Sequence, residues 1–395
     1  MSGDSRKRKL AIFTGNRAEY SMQYPILKAI SVDERLQYYL LVSGAHLKDD
    51  FGKSLQEIEK DGFSIEAKIE IDMPHDSLHS TALAIGSGIS NISKALEKLR
   101  PDLLIVYADR FESFAAMIAG TQMNIPTAHV EGGDYTEGGA LDDSVRHAMT
   151  KLAHIHFATN EQAAERILRM GEEAWRVHNV GLPALDTIME GHYATPQEVY
   201  SRYNLDHSKP VLLFTQHSVT TEFGEATGQI TPSLEALVEA GREWDCQVII
   251  TYPNDDAGGK SIVREIEKIK ERALPFIQVH PSLGSYYYHG VLNVATACLG
   301  NSSSGIKETP VFKCPFINIG SRQQGRLRAE NIIDVGYDKA QIKQAIWRCL
   351  YDDDFKAKID QVINPYGAGN AGRKIVDVLA TIPINENLLK KKMTY

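Results

Sequence analysis

Cysteine is scarce: four in 395 residues, Cys246, Cys298, Cys314 and Cys349, widely spaced and with no CxxC pair. That excludes a disulfide framework or a cysteine zinc site and leaves four small apolar side chains suited to a reducing compartment. No apolar run reaches the ~18 residues of a membrane span. The basic start, residues 1–10, runs into a short strand and a polar turn, unlike a signal peptide. Positive charge is in deficit, 43 Lys and Arg against 51 Asp and Glu for a net charge of -8. This argues against nucleic acid or an anionic membrane as partner, though not against a local cationic pocket. The turn after the first strand, Gly15-Asn-Arg-Ala-Glu19, is a poor dinucleotide fingerprint, and a lysine phosphate loop and a nucleophile elbow are missing, so NAD is not expected. His129, His147, His154 and His156 fall in strand or early helix with mixed facing, and no metal set is expected. The expectation is a cytoplasmic protein without metal or cofactor.

What is present is globular: 43% hydrophobic and 24% charged residues, in a chain too long for one ordinary core, so two domains are expected. Short apolar runs alternate with amphipathic helices. In the first half the runs lie at 9–15, 38–43, 101–107, 124–131, 155–159 and 177–180, with a polar, loosely ordered stretch over 52–62. In the second they lie at 210–215, 247–251, 276–279, 295–300 and 315–319. Apolar strands with polar tips, each followed by a helix, argue for an α/β fold of parallel sheets covered on both faces. Two such halves, joined near 183–207, imply a ligand cleft between them.

The polar tips carry the chemistry. His129-Val-Glu-Gly-Gly133 ends one strand, and Asp142-Asp-Ser-Val-Arg-His147 opens a helix with acids in its first turn. With Arg17, Asp109, Arg110 and Glu112 at neighbouring tips, the first half gathers carboxylates able to push each other's pKa values apart into an acid and a base. In the second half, Asn301-Ser-Ser-Ser-Gly305 leads into a helix whose free N–H groups and hydroxyls suit a diphosphate, with Glu308 placed to accept from a ribose. Arg322 and Arg326 add cations for such a leaving group. His217, at the tip of 210–215, suits a general acid or a phosphate contact. Each feature alone has an ordinary reading: a serine N-cap, an ion pair Asp109–Arg110, a loop histidine, an arginine capping its loop.

Taken in order, these motifs resemble the UDP-N-acetylglucosamine 2-epimerase family, and within it the hydrolysing type of the sialic-acid and legionaminic-acid pathways. The resemblance runs from Gly15-Asn-Arg-Ala-Glu-Tyr-Ser21 through Asp109-Arg-Phe-Glu112 and the two motifs above. It continues through Gln216-His217, Thr221-Glu222, Asn301-Ser-Ser-Ser-Gly305 and Gly320-Ser-Arg-Gln-Gln-Gly-Arg326. It implies two Rossmann-like domains of GT-B type, here 1–183 and 184–366, with 367–395 returning to the first. It implies UDP elimination to a 2-acetamidoglucal followed by water addition, without metal or NAD, in a homodimer or homotetramer. By motif position it gives Asp109, Glu131, Asp142 and His217 as catalytic, and Arg17, Asn254, His280, Ser303, Ser304, Glu308 and Arg322 as substrate or nucleotide contacts. Two departures stand out. Ala108 replaces the family's usual glycine, and the loop over 135–140 is slightly longer beside the expected sugar site. A 2,4-diacetamido-trideoxy sugar on UDP or GDP is therefore an alternative substrate to UDP-N-acetylglucosamine. Ser43-Gly-Ala-His46 lacks the glutamine beside the histidine that non-hydrolysing members use for an allosteric substrate molecule. A GT-B glycosyltransferase and a catalytically inert nucleotide-sugar binder are the competing readings.

Overall fold

The computed structural model describes residues 6–47, 54–71, 78–135, 141–253 and 258–395. The chain forms two compact units. One runs from the N-terminus through Thr187 and takes back Tyr366–Tyr395; the other is Ile188–Pro365.

The first unit holds a seven-stranded sheet: β1 (Arg8–Thr14), β2 (Leu36–Ser43), β3 (Ile65–Ile69), β4 (Leu103–Tyr107), β5 (Thr127–Val130), β6 (Ile155–Ala158) and β7 (Val177–Asn179). Every pairing is parallel, in the order β3-β2-β1-β4-β5-β6-β7. The second holds β8 (Val211–Thr215), β9 (Gln247–Thr251), β10 (Ile277–His280), β11 (Ala297–Gly300), β12 (Phe316–Ile319) and β13 (Ile332–Val335). Its order is β10-β9-β8-β11-β12-β13, again all parallel. Both are doubly wound Rossmann-like sheets. β4 (LLIVY) and β8 (VLLFT) are buried along their whole length, because helices cover both faces and leave no side for polar residues. Each strand order reverses at its middle, between β1 and β4 and between β8 and β11, and ligands of such sheets sit outside the strand ends at that reversal.

Two strands have no counterpart in the apolar runs. Where a loose stretch over 52–62 was expected, the described part forms the helix Ser54–Lys60 and leads to β3. β3 is an edge strand whose exposed Glu66 and Lys68 alternate with Ile65, Ala67 and Ile69, so no continuous apolar run marks it. β13, an edge of the second sheet, is three partly exposed apolar residues interrupted by the exposed Asp334. The four cysteines are buried and unpaired, and no helix among the described residues is long and apolar enough to cross a membrane.

The chain end is bound into the first unit by orphan backbone donors. The helix Ala371–Thr381 has no side-chain cap of its own; instead the buried Asp186 carboxylate accepts from Ala371 N–H (2.9 Å) and Gly372 N–H (2.7 Å). A negative charge on two free N–H groups at a helix start satisfies both and suits the helix dipole. Asp186→Ala should lower the stability of this attachment by roughly 2–4 kcal/mol. Hydrogen exchange reads it directly: the amides of 371–381 should lose protection ahead of the second sheet, and unchanged protection there would refute the role of Asp186.

Candidate active site

The first unit concentrates its acids at the tips of β4 and β5. These strands run in register, Tyr107 beside Val130, and both chains turn sharply on leaving the sheet. Ala108 has φ +51° and Glu131 φ +63°, a left-handed conformation that costs a residue with a side chain on the order of 1–2 kcal/mol. The turns send Asp109 and Glu131 away from the strand line. Asp109 pairs with Arg146 of the helix Leu141–Leu152, and Arg146 reaches Asp143 at 3.3 Å. Only 7% of the Arg146 side chain is exposed. Burial works against its charge, but the carboxylates of Asp109, Asp134, Glu131 and Asp143 outweigh it and hold the guanidinium above its ordinary pKa. One buried cation thus serves four acids. Burial lifts the Asp109 carboxyl above the usual aspartate range; Arg146 pulls the other way, and the charges of Asp142 and Glu131 push up again. The Tyr107 phenol beside them is driven far above its ordinary value by burial and by Glu131. A carboxyl lifted by burial and by the charges of its neighbours is in the kind of environment that separates an acid from a base.

The expected residues separate here. Asp109 and Glu131 lie within the cluster. Asp142 is exposed in the first helical turn and acts on Asp109 only through its charge. The buried partner of Arg146 is its neighbour Asp143, with Asp134 close by. Sequence reading placed Asp143 in the motif without giving it a role and passed over Asp134, although the i,i+3 spacing of Asp143 and Arg146 carried the signal. Arg17 opens the helix Arg17–Ser31, capped by Asn16; its side chain lies outside the described residues, as do Asn254 and the loop over 136–140.

A second acidic pair lies under the tip of β1. Glu19 is buried and accepts from Ser113 Oγ (2.9 Å), Gln23 Nε2 (2.8 Å) and Gly15 N–H (3.4 Å). Burial and the charge of buried Glu112 raise its pKa to about 8. In the sequence it stood only within the motif Gly15-Asn-Arg-Ala-Glu-Tyr-Ser21.

In the second unit, the reversal between β8 and β11 is closed by Gly300 (φ +124°), where a Cβ would stand 1.8 Å from the Thr215 carbonyl oxygen; only glycine fits. The two tips are then stitched together. His217 N–H donates to Asn301 Oδ1 (2.6 Å) and Asn301 Nδ2 donates to His217 O (2.9 Å). Arg322 Nη1 (3.1 Å) and Gln323 Nε2 (2.8 Å) both donate to Asn301 O. Burial, with the Arg322 charge, takes His217 down to about 3, so at neutral pH it is an uncharged imidazole. Ser302 caps the helix Ser303–Lys307, accepting from Ser304 N–H. Ser304 Oγ donates to Glu308 Oε2 (2.5 Å), which His289 Nε2 also meets at 3.0 Å. Burial would raise Glu308, but the bonds from His289 and Ser304 hold it below the usual glutamate range. His217, Ser303, Ser304, Glu308 and Arg322 therefore belong to one tip region, with His289 an unexpected member. His280 does not join them: it ends the edge strand β10, against Tyr203 and 3.3 Å from Gln278 Oε1.

A family model described as UDP-N-acetylglucosamine 2-epimerase matches residues 28–380. The chain belongs to this family. Among its relatives, a UDP-N,N'-diacetylbacillosamine 2-epimerase (hydrolyzing) of Legionella pneumophila is 34% identical over 390 residues, covering 98% of this chain and 100% of that protein. A GDP/UDP-N,N'-diacetylbacillosamine 2-epimerase (hydrolyzing) of Campylobacter jejuni is 34% identical over 83% of this chain and 84% of that protein. The crystal structure of the Neisseria meningitidis UDP-GlcNAc 2-epimerase bound to UDP-GlcNAc has the same fold, with a TM-score of 0.76 at 18% identity over 94% of this chain and 99% of that one.

Glu19 gives this epimerase-family chain a measurable electrostatic signature. Its native pKa of about 8 lies above the ordinary glutamate value of 4.5, so the folded state binds the extra proton between these pH values. Stability from Glu19 is fully present below pH 4.5 and is lost as pH rises towards 8. Glu19→Gln keeps the shape without the charge. The melting temperature of the variant should gain on the parent steadily across that window; parallel curves would mean that Glu19 is ionised in the fold.

Proposed function

We infer that the protein is a hydrolysing 2-epimerase that splits a UDP-linked 2-acetamido sugar into UDP and the free 2-epimeric sugar. The observation that carries this reading is the buried Arg146 with its carboxylates at the β4 and β5 tips. Eliminating UDP across C1 and C2 breaks the C1–O bond and removes the C2 proton, leaving a 2-acetamidoglucal. Water then adds at C1 as a proton arrives at the opposite face of C2. The sequence needs a base, an acid on the other face and donors for the departing diphosphate. Asp109, Glu131 and Asp142 are assigned the proton transfers. Asp109, lifted above the usual aspartate range by burial, is the carboxyl here best suited to hold a proton. His217, uncharged as it stands, can give one N–H to a phosphate oxygen; Arg322 supplies the fixed charge, and Ser303, Ser304 and Glu308 the remaining phosphate and ribose contacts. The assignment of 1–183 to the sugar, 184–366 to the nucleotide and 367–395 to the first domain is part of the same proposal, as are a homo-oligomer and a cytoplasmic site of action.

The two relatives described above favour a 2,4-diacetamido-trideoxy sugar, because both are named for diacetylbacillosamine and as hydrolysing. UDP-N-acetylglucosamine is the second reading, favoured by the family's own description. Proton NMR in deuterated water, with each nucleotide sugar in turn, separates them. The expected products are UDP and a free 2-epimer carrying deuterium at C2. A UDP-linked epimer would make the enzyme non-hydrolysing, and UDP release only on adding an acceptor would make it a transferase.

Asp109→Asn and Glu131→Gln should each lower turnover by ~10² to 10⁴ while UDP still binds, the usual loss on removing a catalytic acid or base. Near-native turnover in either would remove that carboxylate from the mechanism. Arg322→Ala should weaken UDP binding by about tenfold or more, the worth of a charge-assisted hydrogen bond; calorimetry showing unchanged affinity would exclude it.

A further inference from the structure

We propose that His129 is a positioning residue, one that holds Ala108 in its left-handed backbone and so aims the Asp109 carboxylate at Arg146. The proposal rests on the epimerase reading above and gives that site a residue the reaction scheme does not use.

His129 is the third residue of β5, fully buried, in register with Val106 of β4. Its Nε2 lies 2.7 Å from the Ala108 carbonyl oxygen. A carbonyl only accepts, so Nε2 carries the hydrogen. Burial takes the imidazole down to about 3, which leaves Nδ1 a bare acceptor at neutral pH, 3.2 Å from Thr150 Oγ1. The same hydroxyl oxygen stands 3.0 Å from the carbonyl oxygen of Arg146. Thr150 has one hydroxyl hydrogen for two acceptors, Nδ1 and the Arg146 carbonyl oxygen, so the bond the ring makes as donor, to the residue before Asp109, is the one that can position the site. Gly132 closes over the contact of Nδ1 with Thr150: a Cβ there would stand 2.8 Å from His129 Nδ1 and 2.9 Å from Thr150 Oγ1.

Ala108 needs such a hold. At φ +51° its Cβ crowds its own backbone, and a free alanine would leave this region. Both of its peptide groups are occupied: the N–H donates to Val130 O at 3.0 Å, and the carbonyl accepts from His129. The second bond fixes the peptide plane that leads into Asp109, and with it the direction of that side chain. Glycine at 108 would take the same backbone at no steric cost and would depend less on the histidine. A histidine that merely filled the core would show no such dependence, and the two roles are separable by coupling the two positions.

The test is a cycle of His129→Leu, Ala108→Gly and the double variant in the full-length chain, with His129→Gln as the conservative change that keeps an N–H donor. Steady-state turnover of whichever nucleotide sugar the parent cleaves and thermal unfolding are both measured. His129→Leu should lose about a hundredfold in kcat, the scale of a misaimed catalytic group, with KM changed less than about threefold. His129→Gln should recover most of that loss, and His129→Leu should lose at least about tenfold less when glycine occupies 108. Its melting-temperature penalty should likewise shrink in the Ala108→Gly background. An equal kcat loss in both backgrounds, a loss confined to KM, or strictly additive melting temperatures would overturn the proposal. Should His129→Leu fail to fold, His129→Gln in the two backgrounds takes its place under the same criteria. If the parent chain cleaves no nucleotide sugar, the epimerase reading fails, and the thermal cycle still decides whether His129 holds Ala108.

Discussion

The charge arrangement of the first unit depends on one buried guanidinium. Four carboxylates gathered at two strand tips would repel one another and draw water into the sheet end. Arg146 makes the cluster tenable, facing Asp109 and Asp143 directly and Asp134 and Glu131 through space. Four acids act on this arginine, and burial among like charges favours keeping a proton in the group. Burial and the neighbouring charges put that tendency on Asp109, while its contact with Arg146 limits it. Truncating such an arginine would leave buried charges unpaired, which typically costs 3–5 kcal/mol, so the same residue that tunes the acids also stabilises the fold around them.

The two units solve a related geometric problem with different chemistry. Both sheets reverse strand order at their middle, between β1 and β4 in one and β8 and β11 in the other, and in both the chain turns through left-handed backbone next to the functional groups. In the second unit glycine takes the turn, because the Thr215 carbonyl leaves no room for a side chain at 300. In the first, residues with side chains take it at 108 and 131. Acidic side chains follow directly from these turns, whereas the tip after Gly300 offers amides, hydroxyls and, through Arg322, a cation. One end presents carboxylates and the other amides, hydroxyls and a cation, the division of labour on which the proposed function rests.

Much of the fold is legible in the amino-acid sequence, since strands buried on both faces read as continuous apolar runs. The parts that were not legible are the strands with a wet side. β3 alternates, β13 is short and carries Asp334, and each lies at a sheet edge where one set of side chains faces water. At the site, strand-tip positions such as Asp109, Glu131, His217 and Arg322 could be named from motif spacing. Which of two adjacent acids turns inward could not: Asp142 and Asp143 differ by one residue and about 100° on the helix, and only packing selects Asp143 for Arg146. His289 and Glu308 are nineteen residues apart and meet only because the fold brings them together.

His217 illustrates why residue type alone understates the electrostatics of such a site. A histidine near an expected diphosphate reads as a cation, yet burial and Arg322 keep this one uncharged, at about 3. A diphosphate placed beside it would favour the protonated form, by the same argument that Arg322 disfavours it. A neutral ring can still offer one N–H to a phosphate oxygen without carrying charge. Arg322 carries its charge throughout, so in the proposed site the two residues would not be redundant: one would supply constant attraction and the other a directed hydrogen bond. A leaving group must be held during bond cleavage and released afterwards, and a fixed charge beside a neutral donor would let the anion go more readily than two arginines would.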